Sequence, residues 1–265
     1  DRWRRDWNAE LGATQDELTT DELRQLEPSL SEEVKRAVYF PLAYSTTNPA
    51  MLTRAIAEEV EAEGGKVILA DVTDLVVENG CPTEVKTDQG SFPVDRLVVA
   101  AGAFSHRVAR MMGIKVLLET ERGYHIEAAG VETRLSRQAI HYELACGINP
   151  MNTGLRFAGT VEFAGVDAEP DENRAWSIWR RSKGLIKESA DTGDENVTTW
   201  MGRRPTMPDF RPVIGPAPGL DNCWFAFGHQ HLGLTLGART GEIVGEIVSG
   251  RDPGIDLEPF RADRF

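Results

Sequence analysis

Apolar positions along this chain begin at helical spacing and then switch to the alternation and short runs of strands. Thr19 and Glu22 stand three apart, the reciprocal pair that caps a helix, and Leu18, Leu23, Leu26 and Leu30 supply an irregular apolar face. A leading helical segment over residues 1–48 is expected. Asn48-Pro49 reads as the next helix start, with Leu52, Ala55, Ile56 and Val60 in one stripe and Gly64-Gly65 as the stop. β-Branched runs at 66–72 and 75–78, with turn signals at Asn79-Gly80 and Asp88-Gln89-Gly90, predict a small antiparallel meander. Residues 96–101, Arg-Leu-Val-Val-Ala-Ala, suit a strand buried on both faces of a parallel sheet, broken by Gly102 before a helix.

From residue 114 to 201 the pattern changes to strand candidates at 124–127, 139–142 and 155–163, with one helix containing Trp176. A strand at 223–227 and a helix at 234–249 then return the chain to the first layer, across an ordered proline-rich loop at 205–218. The expected fold class is α/β: a partial Rossmann-like, nucleotide-binding domain with a β-meander insert, plus an α+β antiparallel-sheet domain. The first domain is discontinuous, 49–113 and 202–265, and the second is 114–201.

Composition narrows the function classes. A net charge of −13 repels phosphate backbones, so nucleic acid is excluded as a partner. The longest apolar stretch, 97–104, is far below the roughly 20 residues that a bilayer span needs, which leaves at most peripheral membrane contact. Cys81, Cys146 and Cys223 are odd in number and widely separated. They fit a reducing, cytoplasmic setting, with contact at the inner face of the cell membrane as the outer limit.

The densest chemical signal is Gly228-His229-Gln230-His231-Leu232-Gly233-Leu234-Thr235, between the strand at 223–227 and the last helix. Two glycines at a strand-to-helix junction let backbone amides approach a planar or anionic ligand, and the helix N-terminus stabilises negative charge there. In that helix Gly233, Gly237, Gly241 and Gly245 recur every four residues, leaving a nearly bare face that can press on a strand or a cofactor. His229 and His231, two apart on an extended segment, would share a face, but no third ligand accompanies them, so no metal is assigned. Arg204, on the stretch Gly202-Arg203-Arg204-Pro205, reads as a proline-stiffened guanidinium able to grip a carboxylate with two parallel hydrogen bonds.

Taken in order, Arg122-Gly123-Tyr124, Gly154-Leu155-Arg156-Phe157-Ala158-Gly159-Thr160-Val161-Glu162-Phe163, Trp200-Met201-Gly202-Arg203-Arg204-Pro205, Pro212-Val213-Ile214-Gly215 and the 227–235 segment resemble the signatures of bacterial D-amino-acid dehydrogenases. Leu26-Glu27-Pro28, Val98-Val99-Ala100-Ala101-Gly102 and the closing Pro259-Phe260-Arg261 stretch extend the likeness to both ends. The resemblance implies an FAD enzyme of the D-amino-acid oxidase and glycine oxidase superfamily that passes hydride from the α-carbon of a D-amino acid to flavin N5. Glycine, sarcosine and hydroxyproline are the substrates of the related alternatives. A quinone, an electron-transfer protein or oxygen would take the electrons.

By position the resemblance makes Arg204 the holder of the substrate carboxylate. It puts Val72 at the adenine, Ala100, Ala101 and Gly102 beside the dinucleotide, and Gly228, His229, Gln230, His231, Leu232, Gly233, Leu234 and Thr235 around the flavin ring. Relatives place a tyrosine just before the Pro150-Met151 stretch, and Tyr142 is the nearest here. No Gly-x-Gly-x-x-Gly occurs, and the chain starts Asp1-Arg2-Trp3-Arg4. A fragment is therefore expected, lacking the opening dinucleotide-binding segment, and inert unless a separate N-terminal piece completes it.

Overall fold

A computed structural model describes residues 2–133 and 135–265. In chain order the elements begin with α1 (Arg2–Glu10), β1 (Asp16–Leu18), α2 (Thr20–Leu26), β2 (Ala37–Tyr39) and α3 (Pro49–Ala62). The meander strands β3 (Val72–Glu78), β4 (Cys81–Thr87) and β5 (Gly90–Pro93) come next, then β6 (Leu97–Val99) and α4 (Ser105–Met111). After these run β7 (Glu119–Ala129), β8 (Ala139–His141), β9 (Cys146–Met151), β10 (Gly154–Phe163) and α5 (Glu172–Ser182). The chain ends with β11 (Val197–Thr206), β12 (Val213–Pro216), β13 (Cys223–Phe227) and α6 (Gly233–Val248).

The chain divides into two compact units. The first takes the chain up to Arg54, Gly123–Thr160 and Pro170–Met201, so the leading segment does not stand apart. Thr19 caps α2 through the reciprocal bonds with Glu22. Leu23 and Leu30 then enter one core with Tyr124, Ile126, Leu155, Phe157 and Trp179. That core results from the period of two in β7 and β10, which sends Tyr124, Ile126 and Ala128, and Leu155 and Phe157, to the buried side. A five-stranded sheet runs in the order β11-β7-β10-β9-β8, with β8, β9 and β10 paired antiparallel.

The second unit comprises Ala55–Arg122, Val161–Glu169 and Gly202–Phe265. Its core joins Val99, Ala109, Met207, Val213, Phe225 and Phe227. β13 pairs parallel with β6 and antiparallel with β12, and β3, β4 and β5 form the meander.

Four expectations are corrected. No strand forms over 66–71: the extended chain there has no ladder partner among the described residues, and Leu69 is 97% exposed. β6 is three residues long at the edge of its sheet, and it is buried on one face only: Val99 is buried while Val98 is exposed. The 205–218 stretch is not only a loop, because β12 lies within it. Finally, a Cβ built at Gly237, Gly241 or Gly245 would meet nothing within 4 Å, so among the described residues this face of α6 presses on no strand. No helix among the described residues is long and apolar enough to cross a membrane.

Candidate active site

Arg204, Glu121 and the turn between β13 and α6 belong to the second unit. Gly228 takes φ +85, and a Cβ there would come within 3.0 Å of Met207 Cγ, so the left-handed turn and the close approach both require glycine. His229 leaves the strand conformation at φ −78 and ψ 0, Gln230 has φ +51, and a single 3-10 turn, Gln230–Leu232, leads into α6. This geometry corrects the reading of His229 and His231 as sharing one face of an extended segment. His229 Nε2 shares a hydrogen with the buried Thr240 Oγ1 at 2.9 Å, while His231 faces Glu121.

Arg204 lies inside strand β11 rather than on a loop. Two residues further along, Thr206 forms an isolated antiparallel bridge with His229, which ties the end of β11 to the glycine turn. The Arg204 charge acts on His231, and both groups sense Glu121. Burial holds the Arg204 guanidinium below its usual range, with Glu121 pulling the other way. Burial first and the Arg204 charge second hold His231 below 6.5, against Glu121.

Three buried polar atoms around this turn have no hydrogen-bond partner among the described residues: Arg204 Nη1, Thr206 Oγ1 and Gln230 Nε2. Buried donors left unsatisfied cost about 1–3 kcal/mol each. Their convergence on one turn marks a place shaped for an acceptor-bearing ligand. The positive end of the sixteen-residue α6 opens at the same turn, and Leu232, Gly233, Leu234 and Thr235 are exposed there.

Among the other predicted positions, Ala100 and Ala101 are exposed after β6, and Gly102 starts a 3-10 turn at φ +54, a strand-to-helix junction like that at Gly228. Val72 is the first residue of β3 and is paired with Thr87. Tyr142 belongs to the first unit, in the turn after β8, and is 69% exposed.

Sequence reasoning missed Glu121 and Thr240, and singled out Arg122 only within a family signature. Arg122 is fully buried; its Nε lies 3.3 Å from Glu162 Oε2 and its Nη2 donates to the Glu169 carbonyl. Adjacent opposite charges, Glu121-Arg122, leading into an apolar alternation were the available signal, because such residues are buried only when paired.

The family model described as DAO, FAD dependent oxidoreductase, matches residues 1–247. The chain is 37% identical over 94% of its length to a D-amino-acid oxidase of Bradyrhizobium diazoefficiens, and 28% identical over 93% to a D-amino acid dehydrogenase of Paramagnetospirillum magneticum. It spans 59% of the length of each of these curated relatives. Among solved structures, glycine oxidase from Geobacillus kaustophilus superposes with a TM-score of 0.85 at 23% identity, over 97% of this chain and 69% of that one.

Proposed function

Since the chain belongs to the FAD dependent oxidoreductase family, we propose that it carries the substrate anchor and part of the flavin site of an enzyme that oxidatively deaminates D-amino acids. The observation that carries this reading is Arg204, half-buried next to the glycine turn, with Nη1 buried and lacking a partner among the described residues. A carboxylate supplies the acceptor that such a donor needs, and a guanidinium can hold it through two parallel bonds.

The residues fit FAD on the same ground. Gln230 Nε2 and Thr206 Oγ1 are donors with no partner among the described residues, which suits the acceptor-rich edge of a flavin ring. Gly228, His229, Gln230, His231, Leu232, Gly233, Leu234 and Thr235 would surround that ring. The open N-terminus of α6 would stabilise negative charge on it. Ala100, Ala101 and Gly102 would lie along the dinucleotide, and the Val72 backbone would meet the adenine.

When bound, FAD supplies the acceptor for the two electrons and the α-hydrogen of the substrate. Arg204 fixes the acid group so that this hydrogen has one direction in which to leave, and positioning of that kind provides much of the rate. Tyr142 is assigned to the substrate side. The substrate amine must be neutral for its lone pair to assist, so kcat/KM rises with pH through the amine's titration. A flat pH–rate profile would count against the mechanism. A quinone, an electron-transfer protein or oxygen would serve as the final electron acceptor.

The direct test is Arg204→Leu in the flavin-loaded enzyme. Losing a charged hydrogen-bond pair of about 2–3 kcal/mol should lower kcat/KM for D-amino acids by roughly 30- to 150-fold with flavin retained. Unchanged kinetics would remove Arg204 from the site.

A second reading, that the chain works only when joined to a further segment, draws support from its surface. Ile56, Val60, Val67, Ile68 and Leu69 are all exposed, and the 66–71 stretch has no ladder partner among the described residues.

A further inference from the structure

Glu121, Arg204 and His231 come from three separate stretches of chain and meet in the second unit. Glu121 is only 6% exposed, and its Oε2 lies 3.9 Å from Nδ1 of the half-exposed His231. Among the described residues, the charged and titratable groups near His231 are Glu121 from β7, Arg204 from β11 and His229 within its own turn. His229 is turned to Thr240 and held neutral by burial. The site thus balances one cation against one buried anion.

An acid group docking on Arg204 adds a second anion to a partly desolvated place, where uncompensated charge is costly. Arg204 already carries its full charge and cannot compensate further. His231 can, because it lies against Glu121 and is open to a solvent proton. Resting on the reading of Arg204 as the carboxylate anchor, we propose that His231, positioned by Glu121, takes up a proton when an acid group binds at Arg204. The imidazole lone pair accepts one solvent proton, no other bond forms or breaks, and the imidazolium remains against the Glu121 carboxylate.

The neutral form of His231 is favoured in the free site, by burial and by Arg204, which is the condition that uptake requires. By linkage, the affinity for acids is greatest below the free-site pKa of His231. It weakens as pH rises to the higher pKa of the bound site, by up to about tenfold for each unit between the two.

The probe is propionate, an acid without an amine, titrated calorimetrically into the flavin-loaded holoenzyme in two buffers of different ionisation enthalpy. Wild type should take up a fraction of a proton per propionate bound. His231→Asn should abolish the uptake and flatten the pH dependence. Glu121→Gln should reduce the uptake, and Glu121→Asp should restore part of it. The histidine carbon resonance of His231 gives the same answer without a variant: its titration midpoint should move up when propionate is added. Binding without uptake in wild type, undiminished uptake in His231→Asn, or an unmoved midpoint would each overturn the proposal and leave the anchor intact. Failure of propionate to bind wild type, or undiminished binding by Arg204→Leu, would instead overturn the anchor, and this proposal with it.

Discussion

At the scale of single residues, charge placement decides what this chain tolerates. His125 stacks on Trp200 at 4.8 Å and 19°, and burial, helped by the Arg156 charge, lowers its pKa from 6.5 to about 4. The unfolded chain therefore holds that proton more tightly than the folded one. Stability is unaffected above pH 6.5, falls as the pH drops from there to about 4, and is not further reduced by this group below that. With partial exposure discounted, the loss is on the order of 2 kcal/mol. His125→Phe, which keeps an aromatic ring against Trp200, should remove this part of the acid sensitivity in denaturant melts at stepped pH; an unchanged dependence would contradict the assignment. Residues of this kind were only partly legible in the sequence. Arg204 could be picked out because it sits in a motif with Gly202 and Pro205, whereas Glu121 and Thr240 matter through partners that the fold alone brings to them.

At the scale of elements, glycines with the same letter carry opposite consequences. Gly154 starts β10 at φ +145, and a Cβ there would run into the Ala128 carbonyl oxygen. Gly237 lies within α6, where a Cβ would meet nothing within 4 Å. Gly154→Ala should cost about 2 kcal/mol or more, from backbone strain and displacement. Gly237→Ala should stabilise this chain by up to about 1 kcal/mol, because alanine favours a helix interior. Equal effects of the two in urea melts would contradict this contrast. Periodicity located β13 to the residue and α6 to within one at each end, since both have sharp boundaries in apolar pattern and glycine. It erred at 66–71 and at β6, where an apolar run says nothing about whether a neighbouring strand is present to pair with it.

At the scale of the whole molecule, two hydrophobic cores coexist with apolar surface that the described residues leave uncovered. The positions proposed for flavin at Gly102 and Gly228 lie on strand-to-helix turns, while the side of α6 that carries its glycines is open. The chain also spans 59% of the relatives' length. The 265-residue chain purified alone should therefore be colourless and inactive toward D-amino acids. A yellow, active preparation would show that these residues suffice to hold FAD. Family and fold class were legible because several ordered motifs constrain the whole chain at once. The division into units was less so, since strands β7, β10 and β11 each run from one unit into the other, and no composition shift marks those points.

The claim on which the rest depends is that Arg204 grips an acid group beside the 228–235 turn. It is tested most directly by adding propionate to the flavin-loaded enzyme and to its Arg204→Leu variant while recording the visible flavin spectrum. Wild type should show a saturable spectral change that is lost in the variant, with flavin retained in both. An equal change in both proteins would contradict the claim.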